Sequence, residues 1–141
     1  MIRRYFTIPG PPQGKARART VTHGGRVHSY TPEKTALYER LAADCYRFAY
    51  PYEDKLTGPV EVKITAYFPI PKSWSLKRKQ EACAGLIQVI VKPDCDNILK
   101  IVCDSMNNVA WEDDRQVVLA QVEKKYAPEP RVEVELYGGE E

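Results

Sequence analysis

Val60-Glu61-Val62-Lys63-Ile64-Thr65-Ala66-Tyr67-Phe68 alternates apolar and polar side chains without a break. A period of two with one apolar side is the pattern of a β-strand buried on one face. Pro69-Ile70-Pro71 stops it, Ser73 can cap the next element, and Trp74 to Leu86 can form a helix displaying Lys77, Arg78 and Lys79. Ile87-Gln88-Val89-Ile90-Val91 is a short apolar run expected as a buried strand. It delivers the chain to a helix from Asp96 to about Asn107, with Ile98, Leu99, Val102, Cys103 and Met106 on one side and Asp96, Lys100, Asp104 and Asn107 in a narrow arc on the other. Two more strands come after it, Val117 to Tyr126 and Arg131 to Tyr137, split by Pro128-Glu129-Pro130.

Upstream of Val60, Thr31-Pro32 reads as a cap followed by proline at the first helical position. Leu37, Leu41, Cys45 and Phe48 recur on one face of the helix it opens, and Pro51 ends it. Ile2 to Ile8 is weakly strand-like and is closed by Pro9-Gly10-Pro11-Pro12. Between them, residues of about 9–30 form a long polar loop in which His23-Gly24-Gly25-Arg26 reads as a hairpin tip or a mobile turn. With no repeat and no linker, residues 1–141 are expected to be one α+β domain. Its sheet is expected to be mixed and largely antiparallel, built from strands near residues 2, 60, 88, 117 and 131, with helices mainly on one face.

Composition agrees with that class. The chain has 141 residues, 43% of them hydrophobic, enough for a single core. No apolar run nears the roughly 20 residues that cross a bilayer, and no apolar stretch backs the N-terminal charges, so no membrane partner and a cytoplasmic location are expected. Cys45, Cys83, Cys95 and Cys103 lack paired metal-ligand spacing and are too sparse for a disulfide framework. They are expected to be reduced and mostly core-filling.

The net charge of +2 conceals a segregation. Six bases (Arg3, Arg4, Lys15, Arg17, Arg19, Arg26) precede the first acid, whereas Pro93 to Asp114 holds six acids (Asp94, Asp96, Asp104, Glu112, Asp113, Asp114) against Lys100 alone. A basic arm beside an acidic pocket suits a polyanionic partner and chemistry at a metal.

Asp94 and Asp96 flank Cys95 where a strand gives way to a helix, and Asp114 lies beyond that helix. Carboxylates without accompanying His or thiolate pairs favour Mg²⁺ or Mn²⁺ over Zn²⁺. Such ions can clamp the oxygens of an in-line displacement at phosphorus. Lys100, one turn from Asp96, can offset phosphate charge. Asp104 is read either as support for the ligands or as a solvated helix residue. An EF-hand loop fails because Leu99 and Ser105 stand where Gly and Glu are needed. A helix cap explains Asp96 alone, and a phosphatase with Asp94 as nucleophile would need a larger domain.

Lys92-Pro93-Asp94-Cys95-Asp96-Asn97-Ile98-Leu99-Lys100, then Asp104-Ser105-Met106-Asn107-Asn108 and Trp111-Glu112-Asp113-Asp114-Arg115-Gln116-Val117-Val118, resemble the signature of the RusA family of Holliday junction resolvases. The match is dense over about residues 92–118, and the basic loop leading into Tyr30-Thr31-Pro32 resembles phage-type members. Ser105-Met106 and Cys95 depart from the usual Ala-Leu and Leu. By motif position, Asp94, Asp96 and Asp114 resemble the family's metal-binding aspartates and Lys100 its essential lysine; Asp113 stands first in the paired aspartates and, with Asp104, is a candidate supporting acid. The resemblance implies a bacterial or phage-encoded homodimer that resolves four-way DNA junctions by paired symmetric nicks with Mg²⁺ or Mn²⁺. One carboxylate set per chain cuts one strand, so paired cuts need two subunits on a two-fold axis.

On this reading Lys15, Arg17, Arg19 and Arg26 hold flanking phosphates, with Lys77, Arg78 and Lys79 as a second basic surface or a solvated helix face. Trp111 is read as a buried support, with stacking on an opened base as the alternative. The rivals are a junction- or DNA-binding protein without catalysis, and a nuclease preferring flaps or other branched DNA.

Overall fold

The structure, a computed structural model, describes residues 1–16, 19–30 and 32–139, with residue 19 described by its backbone. Strand β4 (Val60–Pro69) lies at the centre, and Val60, Val62, Ile64, Ala66 and Phe68 are all buried on one side. β6 (Arg131–Gly138) pairs antiparallel with it, Ile64 level with Val134. β1 (Ile2–Pro9) pairs antiparallel with β6, setting Ile8 opposite Val132 and Phe6 opposite Val134. β5 (Val117–Ala127) runs parallel to β4 on its other side, with Ile64 level with Val122 and Phe68 level with Tyr126. The sheet order is therefore β1-β6-β4-β5. The parallel pair is allowed by the long crossover between β4 and β5, which carries two helices. The alternating residues of β1, β4 and β6 put one apolar face under the helices, each fully buried Val, Leu or Ile contributing about 1.5–3 kcal/mol.

Helix α1 (Glu33–Ala49) follows Pro32, as expected from the Thr31-Pro32 signal, although Thr31 itself lies outside the described residues. Its buried face differs from the expected one. Thr35, Tyr38, Ala42, Ala43 and Tyr46 point inward, while Leu37, Leu41 and Phe48 are exposed. The reason is the aromatic–alanine match: Ala42 and Ala43 let the helix approach the sheet closely, and Tyr46 packs edge-on against Phe6 at 5.6 Å between ring centroids. The Tyr46 hydroxyl also accepts from Arg4 Nη1 at 2.5 Å, and Arg4 donates a second bond to the Asp54 carbonyl at 2.8 Å. Arg4 is thus a buried structural cation, and the basic arm is one charge smaller than the sequence count.

α2 (Leu76–Cys83) is shorter than Trp74 to Leu86, and Ser75, not Ser73, caps it by accepting from the Arg78 amide at 3.2 Å. The expected strand at Ile87–Val91 does not form. The slot beside β4 is taken by the longer run Val117–Ala127, and the five-residue stretch becomes a strap with Val89 buried and Ile90 exposed. Lys124 Nζ ties that strap to β5 through the Val91 carbonyl at 2.6 Å. The polar loop contains a β-hairpin, β2 (Arg19–His23) and β3 (Arg26–Tyr30), turning on Gly24 and Gly25 at φ 58° and 77°. Positive φ at both turn positions is the two-residue hairpin geometry that Gly-Gly accepts without strain. All four thiols are free; Cys103 is buried and Cys45 half-buried, but Cys83 and Cys95 are exposed, so only half of them fill the core as expected.

Candidate active site

Helix α3 (Cys95–Met106) positions the first set of charged groups. Ile98, Ile101, Val102, Cys103, Ser105 and Met106 are buried, which fixes the helix's rotation and turns Asp96 and Lys100 outward. Asp94 is the residue ahead of the helix: its carbonyl accepts the Ile98 amide at 3.0 Å, while its carboxylate makes no capping bond and stays exposed. Asp96 sits in the first turn, where the helix dipole favours an anion.

The second set comes from the turn ahead of β5. Trp111 is completely buried and donates its indole N–H to Asn107 Oδ1 at 2.8 Å, which locks the end of α3 to this turn. Of the two readings of Trp111, buried support is the one the structure holds. Asp113 and Gln116 form a reciprocal cap around the short 3₁₀ turn Asp114–Gln116. The Gln116 carbonyl oxygen accepts from the amides of Glu112 (3.0 Å) and Asp113 (3.3 Å), and its amino group donates to the carbonyls of Leu56 and Gly58, each at 3.0 Å. Asp113 is therefore spent on the cap and on Arg115, and Asp114 is left to face the groove.

Asp96, Leu99, Lys100, Cys103 and Asp114 line one groove of about 410 Å³ with Val117–Ala120 of β5. Burial, and then the neighbouring Asp113 and Asp104, raise the Asp114 carboxyl above its ordinary value, while a hydrogen bond from Asn107 pulls it down. Asp94 stands at the N-terminal end of α3, outside the groove lining. Among the described residues, no three His, Cys, Asp or Glu side chains gather closely enough to form a metal cage. The donor set still suits a hard cation. Mg²⁺ is typically held by one or two carboxylates and completes its shell with water and substrate phosphate, and Asp96 and Asp114 are two carboxylates lining one groove.

Asp104 is not an idle helix residue. Its Oδ2 accepts Lys15 Nζ at 3.2 Å and lies 3.7 Å from Lys100 Nζ, and Lys15 also meets Glu39 Oε2 of α1 at 3.1 Å. Lys15, expected on a DNA phosphate, has its ammonium already engaged by two carboxylates. Its amide donates to the Asn97 carbonyl at 3.2 Å, and Gly14 packs so tightly that a Cβ there would stand 2.9 Å from Pro93 Cβ. The basic loop is thus anchored on the first turn of α3. Arg26 is exposed on β3; Lys77 and Arg78 are exposed on α2 with Lys79 half-buried beside them, and Arg78 lies 4.1 Å from the Trp74 ring centroid. Arg17 and the Arg19 side chain lie outside the described residues.

Sequence reasoning placed Asn107 on the polar arc and Gln116 in the motif without giving either a role, and missed Glu39. The spacing Asp113-x-x-Gln116 was a readable capping signal, whereas Glu39 meets Lys15 only through tertiary contact.

No helix of the described residues is long and apolar enough to cross a membrane. Residues 9–137 match the family model described as endodeoxyribonuclease RusA. The uncharacterized protein YqaN of Bacillus subtilis (strain 168) is 40% identical over 131 residues, covering 92% of each chain. The groove built by α3 and the Asp113–Gln116 turn falls within the matched segment, and the chain belongs to the RusA family of endodeoxyribonucleases.

Proposed function

We propose that the chain is a metal-dependent, structure-selective endodeoxyribonuclease that resolves four-way DNA junctions as a homodimer by paired symmetric nicks. The observation that carries this reading is the sharing of one groove by Asp96, Asp114 and Lys100. Asp96 and Asp114 would hold Mg²⁺ or Mn²⁺, with Asp94 completing the set from the end of the helix. When bound, the ion supplies Lewis acidity and lowers the pKa of a coordinated water. The residues do the rest. Lys100 faces the scissile phosphate and offsets charge as water's oxygen bonds to phosphorus and the P–O3′ bond breaks, leaving 5′-phosphate and 3′-hydroxyl ends. Asp104 holds Lys100 from one side while Lys15 holds Asp104 from the other.

Arg26 with Arg17 and Arg19 would grip flanking phosphates, joined by Lys77, Arg78 and Lys79, so affinity should fall steeply with salt. Without a cation, Asp96 and Asp114 repel the phosphate they are placed to receive, which couples DNA contact to metal occupancy. Its setting is the cytoplasm of a bacterium or of a phage-infected cell.

The test is incubation of the purified chain with four-way, flap and linear duplex DNA, with Mg²⁺, Mn²⁺ or EDTA. Paired nicks confined to the four-way junction and abolished by EDTA are expected. Binding without cleavage under every metal would mean a DNA-binding protein, and preferential flap cutting a different branched-DNA nuclease. Full cleavage by Asp96→Asn would remove the metal assignment while leaving an enzyme.

A further inference from the structure

Lys15 and Lys100 compete for one atom. Asp104 Oδ2 lies 3.2 Å from Lys15 Nζ and 3.7 Å from Lys100 Nζ. The first separation is that of a hydrogen bond and the second that of a looser ion pair. Lys15 is also shared with Glu39 Oε2 of α1 at 3.1 Å, so two ammoniums and two carboxylates balance in one cluster. Lys15, Glu39 and Asp104 are each about one-fifth exposed, whereas Lys100 is 62% exposed and lines the groove with Asp96 and Asp114. The balance has a direction: the enclosed carboxylate is satisfied from the α1 side, and the exposed ammonium is left with donors to spare.

We propose that Lys15 is a positioning residue for Lys100. By occupying Asp104, it limits how tightly that carboxylate holds Lys100 and leaves the Lys100 ammonium in the groove for a phosphate oxygen. A carboxylate as enclosed as Asp104 is costly to leave unpaired. Without Lys15, its remaining cation within ion-pair distance among the described residues is Lys100, four residues back on the same helix. Side chains at that spacing are neighbours on a helix surface. Asp104 then draws Lys100 along α3, away from Asp96 one turn in the other direction.

The backbone of the basic loop is held separately. The Lys15 amide donates to the Asn97 carbonyl at 3.2 Å, and Gly14 packs against Pro93 and Asn97. Replacing the Lys15 side chain by an apolar one therefore removes the charge and leaves the loop seated. That separates the role from a phosphate contact. An ammonium that touches DNA equally in the ground and transition states acts on KM, whereas one that sets Lys100 for charge developing in the transition state acts on kcat. The kcat readout rests on the nuclease reading above; the capture of Lys100 by Asp104 does not.

The experiment uses the full chain as wild type, Lys15→Met, Lys15→Met/Asp104→Asn and Lys15→Met/Glu39→Gln, each assayed below its melting transition. Both double variants remove one of the two carboxylates that the lost ammonium leaves behind, so both should regain stability, but only Asp104→Asn releases Lys100. With Mg²⁺ and saturating four-way junction, Lys15→Met should slow cleavage at least about tenfold, with DNA affinity nearly unchanged. Asp104→Asn should return most of that loss and Glu39→Gln none of it. Independently of cleavage, brief acylation with a soluble amine reagent, read by mass spectrometry, should label Lys100 at least about threefold more slowly in Lys15→Met, because a hydrogen-bonded ammonium gives up its proton less readily. Asp104→Asn should restore that rate. Unchanged Lys100 labelling in Lys15→Met overturns the proposal, as does recovery of cleavage by Glu39→Gln as complete as by Asp104→Asn. A Lys15→Met defect confined to affinity and its salt dependence overturns it in favour of a phosphate contact. If wild type cuts no DNA under any divalent metal, the nuclease reading falls and the labelling series alone decides this proposal.

Discussion

Lys15 Nζ lies 3.2 Å from Asp104 Oδ2 and 3.1 Å from Glu39 Oε2, so one ammonium from the basic loop clamps α1 to α3 beside the candidate groove. All three side chains are about one-fifth exposed, which makes the pairs stronger than surface ion pairs. Lys15→Met is therefore expected to cost about 1–2 kcal/mol, since two carboxylates are left poorly solvated. Burial lowers the Lys15 pKa, but hydrogen bonds to Glu39 and Asp104 more than offset this and the net direction is up from 10.5. The stabilisation is then fully present below 10.5 and is lost as pH rises beyond it. Urea denaturation of wild type and Lys15→Met should show the gap at neutral pH and its closure in strong alkali.

Gly14 presses on the residue before Asp94. A Cβ at this position would lie 2.9 Å from Pro93 Cβ and 3.0 Å from Asn97 Cβ, so Gly14→Ala must displace either the loop or the start of α3. The strain is worth about 1–3 kcal/mol. Because it acts on the segment that presents Asp94 and Asp96, cleavage should fall by more than an equal loss of stability elsewhere would cause. Comparing Gly14→Ala with Gly85→Ala, where a Cβ meets nothing within 4 Å but φ is +80°, separates the two effects in cleavage and thermal-melt assays.

What the sequence made legible was whatever depends on neighbours along the chain. The alternation of Val60–Phe68, the amphipathic Asp96–Asn107 helix and the proline break before Arg131 each carry a local period or stop, and each appears in the structure. Ile87–Val91 failed because pairing beside β4 is a competition between segments, and no local pattern says that Val117–Ala127 wins it. The face of α1 failed for a related reason: leucine spacing marks an apolar stripe, but Phe6 and Arg4 on a distant strand decide that Tyr46 and Ala42 go inward. At the groove, the motif spacing set Asp94, Asp96 and Asp114 together with Lys100; Asp96, Lys100 and Asp114 line it and Asp94 stands outside its lining, while Lys15 looked like a free cation because its partners are 24 and 89 residues away.

Asp114 illustrates a site held at the expense of stability. Its folded pKa is raised, first by burial and then by Asp113 and Asp104, so the ionised carboxylate costs stability above its ordinary pKa of 3.8, and that cost disappears as pH falls through the folded value. Asp114→Asn should therefore stabilise the metal-free chain at neutral pH, by an amount that shrinks on acidification, while abolishing cleavage. Denaturation in EDTA across this range checks the sign, and Mg²⁺ should stabilise wild type more than the variant.

The cysteines test the packing independently. Cys83 and Cys95 are exposed and should be modified rapidly by a soluble thiol reagent. Cys103 is buried, and burial, followed by Asp114 and Asp104, pushes its thiol up to about 12, so it should react only on unfolding. Mass spectrometry after brief alkylation at neutral pH should find modification at Cys83 and Cys95 but not at Cys103.

Gln116 joins the acidic turn to the loop before β4, and its two ends do different work. Gln116→Ala removes all four hydrogen bonds and should cost about 2–4 kcal/mol. Gln116→Glu keeps an acceptor for the Glu112 and Asp113 amides but sets a carboxylate oxygen against the Leu56 and Gly58 carbonyls, so it preserves the cap and breaks the tie to the loop. If Asp114 is held in place by the cap, the Glu variant retains Mg²⁺-dependent stabilisation and the Ala variant loses it. If the tie to Leu56 and Gly58 sets the position instead, both variants lose it. Magnesium titrations followed by thermal melting decide between them, and we expect retention in the Glu variant, because the bonds to Glu112 and Asp113 act within two residues of Asp114 while those to Leu56 and Gly58 act through the far side of the turn.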